Sequence, residues 1–474
     1  MLLDGIESVT SMKITPHLDY EVILANRSCP VHFAVQFEAP SVEQARPRPA
    51  AFCIVLDRSG SMAGPPLQKA KQATLLAVRH LRLEDTFSLV VFADQAQVVI
   101  PFQSAKNRDQ FLPVIERIAE GGSTNLTGGW MLRRHQLMNA PSGASRRLLL
   151  LSDGQLNMGI VEPPLVEKIV ADGLEKAGVR TSCLGFGEHY NEDLMTQLAQ
   201  VTGGHFYDAD SAERFPAIFS SELEGLQKTV VQNLRLRLRR LDFCELINPL
   251  GNYPAVNLPT GWAEYSVGDL VSAESRVVCF ELGVLPLPWL DGRPVASLQG
   301  EQLLEMQVQF DEIGESEITS RIVSQIIRIQ ATQDANEVRQ KAEVVAWVAM
   351  QKAGQVMDET TRRMDAGKLQ EAVVGLQNAI AALKAYGPEQ QIAEAIQKLE
   401  RLRQIIEVDG WTARERKSSR YLSHSYRQMS SHELWSGPDA APSFKKPPAP
   451  PTAPITPAPP PGEKPNPDEQ KGSS

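Results

Sequence analysis

At 474 residues, with 42% hydrophobic and 22% charged side chains, the chain has the composition of a globular protein and room for roughly two to four domains. The formal net charge of −9 argues against nucleic acid as the main partner, because phosphate binding needs a basic face. No apolar run reaches the ~20 residues of a membrane span, and the start, Met1-Leu2-Leu3-Asp4-Gly5-Ile6-Glu7, has neither a cationic segment nor a long apolar one. Neither a membrane anchor nor a signal peptide is therefore expected. The five cysteines (Cys29, Cys53, Cys183, Cys244, Cys279) are odd in number and form no CxxC pair. They read as reduced, buried side chains of a cytoplasmic protein rather than as metal ligands.

In chain order, residues 1–47 alternate. Val31, Phe33, Val35 and Phe37 are apolar, while His32, Ala34, Gln36 and Glu38 point the other way, and Tyr20, Val22 and Leu24 follow the same rule. A period of two predicts half-buried antiparallel strands, with His32 on the solvated face. The Pro/Arg-rich link Ala45-Arg46-Pro47-Arg48-Pro49 ends this pattern.

Residues 48–228 have another texture. Phe52 to Leu56, Phe87 to Phe92, Leu148 to Leu151 and Ser182 to Phe186 are short, almost wholly apolar runs, the pattern of strands buried on both faces. Between them lie helical stretches. One starts at Pro65-Pro66 and carries Leu67, Ala70, Thr74, Ala77, Val78 and Leu81 on one face; another runs from Pro163-Pro164 to Gly178; Phe215 to Leu226 closes the segment. Alternating strands and helices predict an α/β fold with a doubly wound, mostly parallel sheet.

Alternation returns over 229–330, in Leu234, Leu236 and Leu238 against Arg235, Arg237 and Arg239, and in Leu304, Met306, Val308 and Phe310 against Glu305, Gln307 and Gln309. These strands match those before residue 48, which predicts one antiparallel β-sandwich with the α/β domain inserted in it. The arginine ladder reads as a solvated strand face. Residues 331–410 carry three apolar stripes at helical spacing, broken at Asp365-Ala366-Gly367 and Tyr386-Gly387-Pro388, which predicts a small helical module. A basic connecting segment, 411–435, follows. Thirteen of the 33 prolines lie in 436–474, predicting a disordered Pro-rich tail.

Three motifs fall at loop positions of the central domain. Ile54-Val55-Leu56-Asp57-Arg58-Ser59-Gly60-Ser61 is an apolar run delivering an Asp and two serines into a loop. Gly121-Gly122-Ser123-Thr124-Asn125-Leu126 presents hydroxyls just before a helix, and Leu148-Leu149-Leu150-Leu151-Ser152-Asp153-Gly154 ends another buried strand in an Asp. Loops after strand C-termini converge at the carboxyl edge of such a sheet, where ligands bind. Oxygen donors gathered there suit a hard cation such as Mg²⁺. Asp57 and Asp153 offset its two charges, and hydroxyls of Ser59, Ser61 and Thr124 coordinate without adding charge. Spacing alone leaves Ser123 open as the ligand in place of Thr124.

D-x-S-G-S, G-G-S-T-N and S-D-G in this order resemble the metal-ion-dependent adhesion site of the von Willebrand factor A (VWA) domain, and all five of that family's liganding positions are matched, at Asp57, Ser59, Ser61, Thr124 and Asp153. The resemblance implies direct coordination by Ser59, Ser61 and Thr124, with Asp57 and Asp153 acting through water. It implies Mg²⁺ or Mn²⁺ ahead of Ca²⁺, and a partner's Asp or Glu carboxylate as the exchangeable ligand. The wider layout resembles stand-alone bacterial VWA proteins and the inter-alpha-trypsin inhibitor heavy chains.

The expected function is therefore a divalent-cation-dependent protein–protein interaction module, not an enzyme. The alternative is an adaptor or cofactor subunit of an AAA+ ATPase-type machine. A Mg²⁺-assisted hydrolase would need a general base or a phosphate-cradling loop, and the sequence has no G-x-x-x-x-G-K-[ST], H-E-x-x-H or G-x-S-x-G.

Overall fold

The computed structural model describes residues 11–41, 49–126, 128–129, 145–155, 160, 162–177, 179–186, 190–208, 215–287, 289–290, 293–294, 300–314, 318–385 and 390–428. The segment Met1 to Glu7, most of the Pro/Arg link and the Pro-rich tail lie outside these residues. Three strands come first: β1 (Lys13–Leu18), β2 (Val22–Leu24) and β3 (Cys29–Glu38). The alternating segment contains β4 (Ala50–Asp57), α1 (Pro65–His80), β5 (Thr86–Phe92), β6 (Ala96–Ser104), α2 (Arg108–Glu116), β7 (Ser145–Ser152), α3 (Pro163–Ala177), β8 (Arg180–Gly185), α4 (Glu192–Gln200), β9 (Phe206–Asp208) and α5 (Phe215–Lys228). Strands then return as β10 (Thr229–Arg240), β11 (Cys244–Pro249), β12 (Ala255–Asn257), β13 (Trp262–Val271), β14 (Ser275–Val284), the short β15 (Trp289–Leu290) and β16 (Arg293–Pro294), β17 (Glu301–Ile313) and β18 (Ile318–Thr332). Helices α6 (Ala342–Asp365), α7 (Leu369–Lys384), α8 (Gln390–Gln404) and α9 (Ala413–Gln428) follow.

The central sheet runs β6-β5-β4-β7-β8-β9, parallel except for β6. Every residue of β4 is buried, because the strand's two faces meet two helical layers. Phe52, Ile54 and Leu56 pack with Leu67, Ala70 and Ala77 of α1 and Phe219 and Leu223 of α5. Cys53 and Val55 face the opposite way, onto Val166 and Val170 of α3 and Leu194 and Leu198 of α4. Each Val, Leu, Ile or Phe among them contributes about 1.5–3 kcal/mol by leaving water.

The flanking strands form two facing sheets, β1-β3-β14-β11 and β12-β13-β10-β17-β18-β2. Strand β3 runs against β14 from Glu38↔Ser275 to Cys29↔Val284, so segments on either side of the α/β unit share one sheet. Phe33, Val35 and Phe37 meet Leu234, Leu236, Met306 and Val308 in the core between the two sheets. The α/β domain is thus inserted in a sandwich whose strands pair antiparallel, except that β2 runs parallel to β18. Among the described residues no helix is long and apolar enough to cross a membrane.

Two expectations are corrected. The outer face of β3 is not solvated: Val344, Trp347 and Val348 of α6 pack onto Ala34, Val277 and Cys279, covering the four-stranded sheet on its second side. His32 is accordingly half-buried, with Nδ1 2.8 Å from Asp19 Oδ2 and Nε2 3.0 Å from the Lys352 ammonium. The basic segment is also more than a connector, since most of it is α9, lying along α6. Ser423 Oγ donates to Gly354 O at 2.9 Å, and the Ser419 and Thr361 hydroxyls are 3.0 Å apart. A seam of small hydroxyls leaves no apolar periodicity to read.

Candidate metal centre

Strand β4 delivers Asp57 fully buried at its carboxyl end. Asp57 Oδ1 accepts from the Ser59 amide at 2.9 Å, and Oδ2 accepts from Ser152 Oγ at 2.6 Å. Both oxygens therefore hold fixed directions. Ser59 is buried beside the carboxylate, and its Oγ lies 3.1 Å from that of the exposed Ser61.

The second loop is zipped to the first through backbone. Gly60 N donates to Gly122 O, and Gly121 N to Arg58 O, each at 2.9 Å. Thr124 is fully buried at the end of this loop. Ser123 is only half-buried, and its amide is drawn to Asp94 Oδ1 at 2.6 Å. Gly122 has φ +81°, and a Cβ there would fall on the Asp94 carboxylate, so glycine is required. Asp94 follows β5 and anchors the loop on its far side, with Asn125 Nδ2 donating to Asp94 O at 3.4 Å and Asn125 N to Ala93 O at 2.9 Å.

The third loop comes from β7, the neighbour of β4. Asp153 is 4% exposed. Its carbonyl accepts from Asn191 N at 2.7 Å, which ties it to the start of α4. Gly154, at φ +65°, packs on Asn191 and Met195 and donates its amide to Ser152 Oγ at 2.9 Å. Ser152 thus bridges the first and third loops, giving its proton to Asp57 while accepting from Gly154.

Burial pushes the Asp57 carboxyl up to about 6, helped by the charge of Asp153 and opposed by the hydrogen bonds from Ser152 and Ser59. Two facing acids in a buried crevice repel, and a cation between them is what such a pair needs. Among the described residues no basic side chain forms an ion pair with Asp57 or Asp153. Nor, among those residues, do three or more His, Cys, Asp or Glu gather as a metal cluster. The donors are two carboxylates and neutral hydroxyls, a hard-oxygen set that fits a divalent ion of the Mg²⁺ type better than a soft one.

Asp57, Ser59, Ser61 and Asp153 are joined through these contacts, and the Gly60–Gly122 bond sets the Thr124 loop beside them. Reading the sequence for oxygen donors missed Ser152, Asp94 and Asn191, which orient the donors. Only the place of Ser152 inside the S-D-G motif signals its role.

Residues 52–221 match the von Willebrand factor type A domain model. The solved structure of a von Willebrand factor type A protein from Catenulispora acidiphila superposes with TM-score 0.67 at 17% identity, over 88% of this chain and 97% of that one. The ArnB paralog VWA2 from Sulfolobus acidocaldarius gives TM-score 0.55 at 15% identity, over 88% and 98%. In sequence, the uncharacterized protein sll0103 of Synechocystis is 25% identical over 70% of this chain and 78% of its own length. YfbK of Escherichia coli is 29% identical over 44% of this chain and 40% of its own. The mouse inter-alpha-trypsin inhibitor heavy chain 4 is 28% identical over 34% of this chain, which spans only 18% of that protein. Residues 52–221 thus match a von Willebrand factor type A domain in sequence and have that fold, set within a β-sandwich.

Proposed function

We propose that the domain is a divalent-cation-dependent protein-binding module. Asp57, Ser59, Ser61, Thr124 and Asp153 would hold Mg²⁺ or Mn²⁺, and an Asp or Glu carboxylate of a protein partner would complete the shell. The observation that carries this reading is the donor set, two buried acids without an ion-pair partner among the described residues and hydroxyls fixed around them. Bound there, the ion would supply Lewis acidity toward an anionic oxygen.

The chain's residues divide the work. Ser59, Ser61 and Thr124 offer neutral oxygens, leaving the ion's charge incompletely offset. Both Asp57 oxygens already accept a hydrogen bond, which supports an outer role for Asp57 through water. The turn of Ser123 toward Asp94 and the full burial of Thr124 favour Thr124 as the ligand. Ca²⁺, which takes about six to eight oxygens, fits this small set less well. No histidine or lysine stands in the segments 57–62, 121–126 or 152–155, which supports a binding role over a hydrolytic one. A cytoplasmic location is proposed with it, on the odd cysteine count and the burial of four of the five.

The test has two readouts. Mg²⁺ at a hundredfold excess over Kd should stabilise the wild type by about 2.7 kcal/mol, raising its melting temperature, and leave Asp57→Ala unmoved. Capture of protein partners should require the cation and fail for Thr124→Ala, whose own melt without metal stays near wild type. Capture that survives chelator and Asp57→Ala would overturn the metal-bridged reading; if the captured protein were then an ATPase, the adaptor reading would take its place.

A further inference from the structure

Strand β18 is the longest in the molecule among the described residues, and most of it has a free edge. It pairs with β17 over Ile318 to Ile329, from Ile313↔Ile318 to Glu301↔Ile329. On its other side β2 covers only Gln330 to Thr332. Among the described residues no strand pairs with 318–329 on that side, so a run of backbone donors and acceptors faces outward. Natural edges of this length are blunted by Lys, Pro or a bulge. This one has neither Lys nor Pro, and its pairing irregularity lies at the far end, opposite Gln302 and Leu304. Its one exposed charge near the middle is Arg321, and around it large apolar side chains stand in solvent, with Ile322 62% exposed and Ile318, Ile326 and Val323 each more than 40% exposed.

The pattern on this edge is symmetric. On the outer face, beside Glu305, Gln307, Gln309 and Asp311 of β17, stand Ile318, Ser320, Ile322, Ser324 and Ile326. The series reads the same in both directions about Ile322. Its charges are already matched within the hairpin: Arg321 Nε pairs with Glu312 Oε2 at 3.0 Å, and Ser320 Oγ donates to Asp311 Oδ1 at 2.6 Å.

We propose that this edge is a homodimer interface, in which β18 pairs antiparallel with β18 of a second copy about a two-fold axis at Ile322. That register sets Ile318 opposite Ile326 of the second copy, Ser320 opposite its Ser324, and Ile322 opposite itself. On the other face Thr319 meets Gln325 and Arg321 meets Val323. The two six-stranded sheets become one continuous sheet with an isoleucine ridge across the junction. A one-residue slip would turn outer faces inward. The neighbouring even registers are worse, because an axis at Arg321 opposes that arginine to itself and an axis at Val323 sets Ile318 against Arg328. Like charges directly opposed destabilise a sheet, whereas matched β-branched pairs support it. A second copy is therefore the occupant whose chemistry fits, since of these three registers the one at Ile322 alone sets isoleucine against isoleucine and serine against serine along the outer face.

The experiment is sedimentation velocity of the full chain across a concentration series in EDTA, so that no metal bridges two molecules. The wild type should show a concentration-dependent species with the mass of two chains. Ile322→Lys, which sets two ammonium groups against each other at the axis, should remain monomeric with an unchanged melt. Val256→Lys, at an equally exposed apolar position on β12, should dimerise like the wild type. A Ser320→Cys, Ser324→Cys double variant should cross-link with a short bis-maleimide into a two-chain product, while Val256→Cys should not. A wild type that stays monomeric at ~100 µM, or a dimer that tolerates Ile322→Lys, overturns the proposal. So does a double variant that dimerises but yields no two-chain product with the cross-linker.

Discussion

Glu222 offers the sharpest quantitative test of how the domain is held together. Its Oε1 accepts from Ser182 Oγ at 2.9 Å, from His205 Nδ1 at 2.8 Å and from the Tyr207 hydroxyl at 2.8 Å, while Oε2 lies 3.4 Å from Arg147 Nε. One carboxylate on α5 thus ties that helix to β7, β8 and β9. Burial alone would raise its pKa, but the Arg147 guanidinium and the hydrogen bonds from His205 and Tyr207 override this and hold it at about 2, against an ordinary 4.5. At 1.36 kcal/mol per pH unit, the difference corresponds to about 3 kcal/mol of stability. A carboxyl depressed by folding contributes fully above its unfolded pKa and loses the contribution as pH falls through the folded value. The full amount is therefore present at pH 7 and titrates away from about pH 4.5 down to about 2. Glu222→Gln keeps the shape but leaves Arg147, 5% exposed, without its counter-charge. At about 2–4 °C per kcal/mol for a domain of this size, the variant should melt ~6–12 °C lower at pH 7. The gap should narrow as pH drops to 3. Equal melts at pH 7, or a gap that holds constant between pH 7 and 3, would refute the reasoning.

Ser152→Ala removes the donor to Asp57 and the acceptor for Gly154, so calorimetric titration with Mn²⁺ should show about 10–100-fold weaker binding, at roughly 1–3 kcal/mol in stability. An unchanged Kd would show that Asp57 needs no such orientation. Gly122→Ala forces a side chain into the left-handed region and onto Asp94, at roughly 1–2 kcal/mol of local strain; the same titration should weaken while the global melt falls little. Arg416 pairs with Glu192, with Asp193 at 2.6 Å and with Asp365 at 2.7 Å. Arg416→Ala should therefore raise hydrogen exchange in both α9 and α4, and unaltered protection in α4 would show that the contact carries no restraint.

The parts legible in the sequence are those whose physics leaves a periodic trace. Strands β4, β5 and β7 are buried on both faces over most of their length and carry apolar runs, whereas β8 is equally buried but opens on Arg180, Thr181 and Ser182, so only its end at Cys183 to Phe186 reads as apolar. The oxygen donors were visible because Asp57, Ser59 and Ser61 are close in sequence and Asp153 repeats the pattern. Their supports were not. Asp94 reads as an ordinary turn residue after β5, and nothing in Phe92-Ala93-Asp94 says that it will hold Ser123, almost thirty positions on. His32 was misread because alternation reveals which residues share a face but not what covers it; α6 arrives more than three hundred positions later. Helix α9 was missed since its seam is made of Ser419 and Ser423, and its arginines look like a solvated basic run until Glu192, Asp193 and Asp358 appear beside them.

These same contacts constrain how the metal edge can move. Asp153 is held by Asn191 N, the residue that caps α4, whose side chain also accepts from Leu194 N at 3.1 Å. Helix α4 is in turn gripped by Arg416 and Arg420 of α9, and α9 is seated on α6, which covers the sandwich. At the opposite end of the strands, buried Arg180 donates to Thr202 O, Gly203 O and Asp269 Oδ1, fixing β8 to β13 of the sandwich. The third loop is therefore backed by a chain of fixed elements, whereas the first two loops are joined to each other mainly by backbone bonds across exposed Gly60 and Gly122. In the proposed binding role, adjustment to an ion or to a partner's carboxylate would therefore meet less resistance in the Ser59–Ser61 and Thr124 loops than at Asp153.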